Sequence, residues 1–297
     1  MAKPTTETVR SITTMIANEL GQFIHDQNQR WFEAELLVGK VLGQERTWIA
    51  LHPDEPVTTK QITTIRKLSK RRLAHEPIAY LLGEAPFYGR IFTVNKSVLI
   101  PRPESERLIE IGKELISNGQ DWAVWDVGTG SGCLGLSFSL VCPQATVLVS
   151  DRSKRALTVA KQNANRLRCL NVTFLNGSLL AKPIDHWLKE HTNKRWLIVA
   201  NLPYLPLADR PTMQKQVVDH EPNQALFADD DGLALIKRLL QQLKKRLVTR
   251  TGDAILLEHD PRQARSLVSY TQTIFPQAAV STELDQNNAK RFTKIVL

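Results

Sequence analysis

Asn201-Leu202-Pro203-Tyr204 follows the apolar run Leu197–Ala200 and carries oxygens suited to handling a planar nitrogen. Amide and exocyclic nitrogens are poor nucleophiles because the lone pair is delocalised. Alkylating one requires that its hydrogens be bound and its lone pair be turned toward the electrophile, so acceptors matter more than a strong base. The Asn201 side-chain oxygen can accept one hydrogen bond and the Leu202 carbonyl another, while Tyr204 can pack against a flat target. An Asn- and Pro-containing tetrapeptide is also an ordinary strand-to-loop turn, so a second signal is needed. About 70 residues upstream, Asp126-Val127-Gly128-Thr129-Gly130-Ser131-Gly132-Cys133-Leu134-Gly135 supplies it. Closely spaced glycines let the backbone pass beside a nucleotide-like ligand that side chains would exclude. Gly130-x-Gly132-x-x-Gly135 fits the dinucleotide fingerprint too, so this loop alone leaves both a nicotinamide cofactor and S-adenosylmethionine open. Asp151, 19 residues after Gly132, suits the two ribose hydroxyls of an adenosyl group, or the N-cap of a helix beginning at Ser153.

The elements that position these residues follow from periodicity. From Val9 to about Leu73 the pattern is helical: Val9, Ile12, Ile16, Leu20 and Phe23, then Leu36, Leu37, Val41 and Leu42, then Ile62, Ile65, Leu68 and Leu73. Three short helices in a small bundle are expected over residues 1–80. Ile91–Val94 alternates like half a hairpin, giving a connector over 81–98. A helix near Glu104–Ser117 opens the remainder, 99–297, where short apolar runs alternate with helical patterns as in a mainly parallel sheet covered by helices. The expected strands are Val124–Val127, Val147–Ser150, Val172–Leu175, Leu197–Ala200, Ala254–Glu258, Val280–Leu284 and Phe292–Val296. Ser153–Leu167 and Leu233–Leu247 read as helices between them.

Composition narrows the function classes. The 297 residues are 42% hydrophobic and 23% charged, which is globular rather than disordered. No apolar stretch approaches the roughly 18 residues that span a bilayer, and Met1–Glu7 lacks the apolar core of a signal peptide, so a cytoplasmic protein without a membrane partner is expected. Cys133, Cys142 and Cys169 form no Cys-x-x-Cys pair and read as small buried residues, and His186 and His191 lack helical metal-ligand spacing, so no metal is expected. The net charge of +9 favours encounter with polyanions without implying a stable nucleic-acid complex. The basic runs Arg66–Arg72 and Lys244–Arg246 lie in helical patterns and read as solvated faces. His220 and His259 read as structural or solvent-facing, and Glu258 and Arg262 as either bordering a substrate entrance or plain surface.

Asp126-x-Gly128-x-Gly130-x-Gly132, Asp151 and Asn201-x-Pro203-Tyr204, in this order, resemble the seven-stranded methyltransferases that use S-adenosylmethionine. More narrowly, the chain resembles the peptide-chain release factor glutamine methyltransferases, the HemK/PrmC family. The likeness extends through Ala34–Leu37, Arg46–Trp48, Glu76–Gly83, Phe87–Gly89, Leu99–Glu106 and His220–Leu233. It implies an α/β fold: a seven-stranded, Rossmann-like methyltransferase domain behind a small N-terminal helical bundle that helps to grip the substrate. It implies S-adenosylmethionine as cofactor and methylation of the glutamine side-chain nitrogen in the Gly-Gly-Gln loop of class 1 release factors. Carried over by motif, Gly128, Thr129, Gly130, Ser131 and Gly132 line the cofactor, Asp151 with Arg152 holds the ribose side, and Pro101 and Arg102 cover the cofactor. Asn201 orients the glutamine amide beside the cofactor, with Leu202, Pro203 and Tyr204 completing the target pocket.

Two departures stand out. Leu202 replaces a proline usual in the family, which restores an N–H and loses a fixed φ while keeping the carbonyl. Ser178 and Leu179 stand where an acidic and an aromatic residue usually flank adenine. The rival readings are an adenine-N6 methyltransferase acting on rRNA or DNA, a ribosomal-protein glutamine methyltransferase, a nicotinamide-dependent oxidoreductase, and a binding module that has lost activity.

Overall fold

The structure is a computed structural model that describes residues 7–116, 121–246 and 252–297. Ser117 and Leu247, expected at helix ends, and most of Met1–Glu7 lie outside the described residues. The chain divides into two compact units, one running to Glu84 and including Gln214–His220, the other comprising Ala85–Met213 and Glu221–Leu297.

The first unit is helical: α1 Val9–Leu20, α2 Gln27–Leu42, α3 Arg46–Leu51, α4 Thr59–Leu73 and α5 Ile78–Leu82, with the single turn Lys215–Val218. Thr8 and Thr58 close capping boxes with Ser11 and Gln61, and Asp26 accepts from the Gln29 N–H, so three helix starts are satisfied by side chains. Val9, Ile12, Ile16 and Leu20 are buried as their spacing predicts. In α2 the buried face is centred on Ala34, Leu37 and Val38, while Leu36, Val41 and Leu42 are half-buried. The basic run on α4 is split. Arg66, Lys67 and Lys70 are exposed, but Arg71 binds Glu76 and Arg72 is buried against Glu33, at 2.5 and 3.1 Å. A solvated face therefore accounts for only part of that run. His220 Nε2 lies 3.1 Å from the Ala74 carbonyl, a structural contact.

The second unit opens with a hairpin of β1 Glu84–Phe87, whose first residue is the boundary residue, and β2 Arg90–Thr93. Its turn residues, Tyr88 and Gly89, both have positive φ, as a type I′ turn requires. Seven further strands make one sheet: β3 Trp122–Val127, β4 Thr146–Asp151, β5 Val172–Asn176, β6 Arg195–Ala200, β7 Ala254–Glu258, β8 Ala279–Leu284 and β9 Lys290–Val296. The order is β5-β4-β3-β6-β7-β9-β8; the first five strands run parallel, and β9 is antiparallel to both neighbours. All seven coincide with the expected runs. Val124, Val147, Val149, Leu197 and Val199 pack on one face with residues of α6 Glu106–Ile116 and α7 Cys133–Val141. Their alternates Trp125, Leu148 and Ile198 pack on the other face with α9 Lys182–Glu190, α10 Ala234–Arg246 and Leu267 of α11 Ala264–Ile274. α8 Lys154–Leu167 follows β4. The chain leaves β3 toward β4 and β5 and later returns to β6 on the opposite side, so the sheet's switch point lies between β3 and β6, where open α/β sheets bind ligands.

Candidate active site

β3 and β6 pair in register from Trp122↔Arg195 to Val127↔Ala200, so the glycine loop and Asn201–Tyr204 leave the same sheet edge side by side. The loop is shaped mainly by one carboxylate. Asp126 Oδ2 accepts from Thr129 Oγ1 at 2.5 Å and from the Gly135 N–H at 2.9 Å, and burial pushes this carboxyl up to about 6. The Gly128 and Thr129 N–H groups both donate to the Ser150 carbonyl. Gly130 has φ +55°, and a Cβ there would meet open space rather than protein, which leaves the backbone bare toward a ligand. Buried Asn163 on α8 braces the loop from behind: its Nδ2 donates to the Ser131 and Thr93 carbonyls, and its Oδ1 accepts from the Thr93 N–H.

Asp151 accepts from the Gly130 N–H at 3.0 Å and the Ser153 N–H at 2.7 Å. The N-cap of α8 is Ser153, whose side chain accepts from the Ala156 N–H. Burial raises the Asp151 pKa, against the two N–H donors that lower it. A carboxylate offers about four acceptor sites, so roughly two remain for ligand hydroxyls.

One open cleft, about 1070 Å³ including its solvent-filled mouth, gathers most of the expected site. That is the upper end of the size of small-molecule sites, roughly 300–1,000 Å³. Gly128, Thr129, Gly130, Ser131, Asp151, Arg152, Ser178, Leu179, Pro101, Arg102, Asn201, Leu202 and Pro203 line it. Gly132 does not: its Cβ position is 2.8 Å from Leu136 Cδ1 and 3.2 Å from Ala160 Cβ, so it serves helix packing. Nor does Tyr204, whose ring packs against the core beneath the sheet and whose hydroxyl donates to Glu258 Oε1 at 3.2 Å. Arg102 is bound to buried Glu221, which also accepts from the Ile100 N–H, so residues 99–106 and the segment that begins at Glu221 meet at the cleft. Leu179 lies there with φ +49°, an uncommon conformation for a non-glycine residue.

The acceptors expected from the sequence are present and unspent. Asn201 Nδ2 donates to Ser105 Oγ at 2.9 Å, and among the described residues no hydrogen bond is made to Asn201 Oδ1 or to the Leu202 carbonyl. Leu202 is buried against the glycine loop; a Cβ on Gly128 would lie 2.9 Å from Leu202 Cδ2. Behind Asn201, Ser105 Oγ donates to Glu258 Oε2 at 2.6 Å. Glu258 is 1% exposed, neither surface nor entrance, whereas Arg262 is exposed and paired with Asp209 and Asp260. Gln263 Nε2 donates to the carbonyls of Tyr204 and Asp231, pinning the acceptor loop from below. His259 is buried, with its ring nitrogens on the Asp260 carbonyl and Thr293 Oγ1. Cys142 is buried, Cys133 and Cys169 are half-buried, and all three are free.

Burial pushes Glu258 up to about 7, against Ser105, Tyr204 and Arg291, which pull it down. The folded chain thus binds this proton more tightly than the unfolded chain. The associated stability is full below about pH 4.5 and is lost as pH rises through about 7. Glu258→Gln is therefore expected to flatten the stability decline between about pH 5 and 8, and to stabilise the protein at pH 8 by on the order of 2–3 kcal/mol. Thermal melts across that range check it; an unchanged slope would assign the proton elsewhere.

Open space at Gly130, the spare acceptor sites of Asp151 and the apolar cover of Leu179 fit an adenosyl cofactor. A family model described as PrmC N-terminal domain matches residues 18–83, and one described as Methyltransferase domain matches 119–292. A release factor glutamine methyltransferase of Deinococcus radiodurans is 38% identical over 252 residues, 85% of this chain and 86% of that one. The enzyme of the same name from Mycoplasma mycoides is 36% identical over 73% of this chain and 75% of its own. Among solved structures, a human methyltransferase 10 domain containing protein aligns over 70% of this chain and 89% of its own at 16% identity, with a TM-score of 0.51, a likeness of fold. With a methyltransferase fold, a glycine-lined cleft and relatives of this identity and coverage, the chain belongs to the release factor glutamine methyltransferase family.

Proposed function

We propose that the protein transfers a methyl group from S-adenosylmethionine to the side-chain nitrogen of the glutamine in the Gly-Gly-Gln loop of class 1 release factors, giving N(5)-methylglutamine and S-adenosylhomocysteine. The observation that carries this is the pair of unspent acceptors, Asn201 Oδ1 and the Leu202 carbonyl, beside a glycine-lined cleft. When bound, S-adenosylmethionine supplies a methyl carbon made electrophilic by its sulfonium, whose sulfur keeps the bond pair. Gly130 borders the cofactor with bare backbone beside Gly128, Thr129 and Ser131, the Asp151 carboxylate takes ribose hydroxyls, and Ser178 and Leu179 flank adenine. Asn201 and Leu202 bind the two hydrogens of the incoming carboxamide, turn its lone pair toward the methyl carbon and hold the positive charge that develops on nitrogen. The surplus proton leaves to water once the N–C bond has formed. Tyr204 is no base: burial raises its pKa, and its hydrogen is given to Glu258.

The partner is a release factor in the cytoplasm rather than a stably held nucleic acid. Among the described residues no helix is long and apolar enough to cross a membrane. Radiolabelled S-adenosylmethionine is expected to mark a release factor and to leave its Gly-Gly-Ala variant unmarked. Label in naked rRNA, or in a ribosomal protein in preference to the release factor, would overturn the assignment. Asp151→Ala is expected to weaken cofactor binding roughly 10- to 100-fold by calorimetric titration, since it removes charge-assisted hydrogen bonds. An unchanged affinity would remove Asp151 from the cofactor site.

A further inference from the structure

A primary carboxamide has two ends of nearly the same shape, and half a turn about its last bond exchanges acceptor for donor. In the glutamine-methylation reading, on which this inference rests, such a turn at Asn201 sets an NH₂ against the NH₂ of the incoming glutamine. Ser105 prevents it. Its hydroxyl has one hydrogen, which goes to Glu258 Oε2 at 2.6 Å. Toward Asn201 it offers only a lone pair, which accepts from Nδ2 at 2.9 Å. The turned carboxamide would place oxygen against oxygen. Ser105 and Glu258 are 2% and 1% exposed, so water does not compete for these bonds.

We propose that Ser105 is a positioning residue for methyl transfer, converting the two-fold acceptor state of Glu258 into a fixed orientation of the Asn201 carboxamide. Both Glu258 oxygens must accept, one from Ser105 and one from Tyr204. The charged and titratable groups facing Glu258 are Glu104 beside Ser105, Cys133 at the start of α7, Tyr204 after β6 and Arg291 on β9. Protonation turns one of its oxygens into a donor and breaks the one-way chain. Turnover should therefore fall on the acid side with a midpoint near 7, without a matching loss of cofactor affinity.

The test uses the full chain, a release factor and S-adenosylmethionine, with turnover followed by methyl label and cofactor affinity by calorimetry. Ser105→Ala is expected to lower kcat about 10- to 100-fold while cofactor Kd stays within about twofold. Ser105→Thr, which keeps the hydroxyl, should recover most of the loss. Glu258→Gln lacks one of the two acceptors and is expected to be slower at pH 8 although more heat-stable, and to lose the acid limb. Ser105→Ala turning over within about twofold of wild type, or losing affinity in step with kcat, overturns the proposal alone. So does an acid limb that survives unchanged in Glu258→Gln. A wild-type chain that does not methylate a release factor overturns the functional reading and this proposal with it.

Discussion

Asn201→Ala is expected to lower kcat by roughly 10²–10³-fold, the size of effect seen when one preorganised polar contact to a developing charge is removed. Cofactor affinity should move little. The side chain lines the cleft with its Nδ2 held by Ser105, which fixes Oδ1, its sole acceptor, as the atom available to the hydrogens of an incoming amide. That oxygen gains most when the glutamine nitrogen begins to carry charge, so its loss falls on the chemical step rather than on ground-state binding. Asn201→Asp sharpens the test. Aspartate keeps an acceptor toward the substrate but cannot donate to Ser105, whose lone pair would face a carboxylate, so it too should be slow. Single-turnover rates with calorimetric affinities give the answer; equal losses in both quantities would make Asn201 a cofactor residue.

The second large effect concerns stability. Arg72→Ala is expected to destabilise the helical unit by about 3–5 kcal/mol, read by urea denaturation followed through the helical signal. Arg72 and Glu33 expose 6% and 3% of their side chains. All three guanidinium nitrogens are engaged: Nε and one terminal nitrogen bind Glu33, the other binds the Glu76 carbonyl, and the Phe23 ring lies 4.8 Å from its centre. Truncating it leaves the Glu33 carboxylate buried without its counter-charge, holding only the neutral Gln29 Nε2 donor, which costs more than the pair itself was worth. Replacing both partners, Arg72→Met with Glu33→Leu, is accordingly expected to recover most of the loss. If the double variant is as unstable as Arg72→Ala, packing around the pair rather than the orphaned charge is the cause.

These two sites differ in how far they could be read from the sequence. The seven strands, the glycine loop and Asn201–Tyr204 were legible because their signals are local: short continuous apolar runs between helical patterns, clustered glycines, a strand followed by an acceptor motif. Buried polar partnerships have no such period. Ser105 and Glu258 are 153 residues apart, and Arg102 and Glu221 are 119 apart, so only the folded chain brings them together. Arg72 carried the opposite signal, sitting in a basic run that reads as solvated, and its burial follows from Glu33 on a different helix. Tyr204 sits in the expected motif, but its hydroxyl is drawn to Glu258. The one available hint for Ser105 was its place within Leu99–Glu106, a stretch that already carried family likeness.

Leu202 bears on how this enzyme responds to heat. A proline ring restricts its backbone torsion covalently, at any temperature. Leu202 is held instead by the atoms around it, with its side chain wedged over Gly128 and merged into the apolar layer below the sheet. Such a restraint is only as stiff as its surroundings, and it softens when neighbours are trimmed or thermal motion grows. The alignment of the main-chain acceptor is therefore tied to the health of the whole apolar layer, so a cavity opened several residues away should blur catalysis before it unfolds the chain.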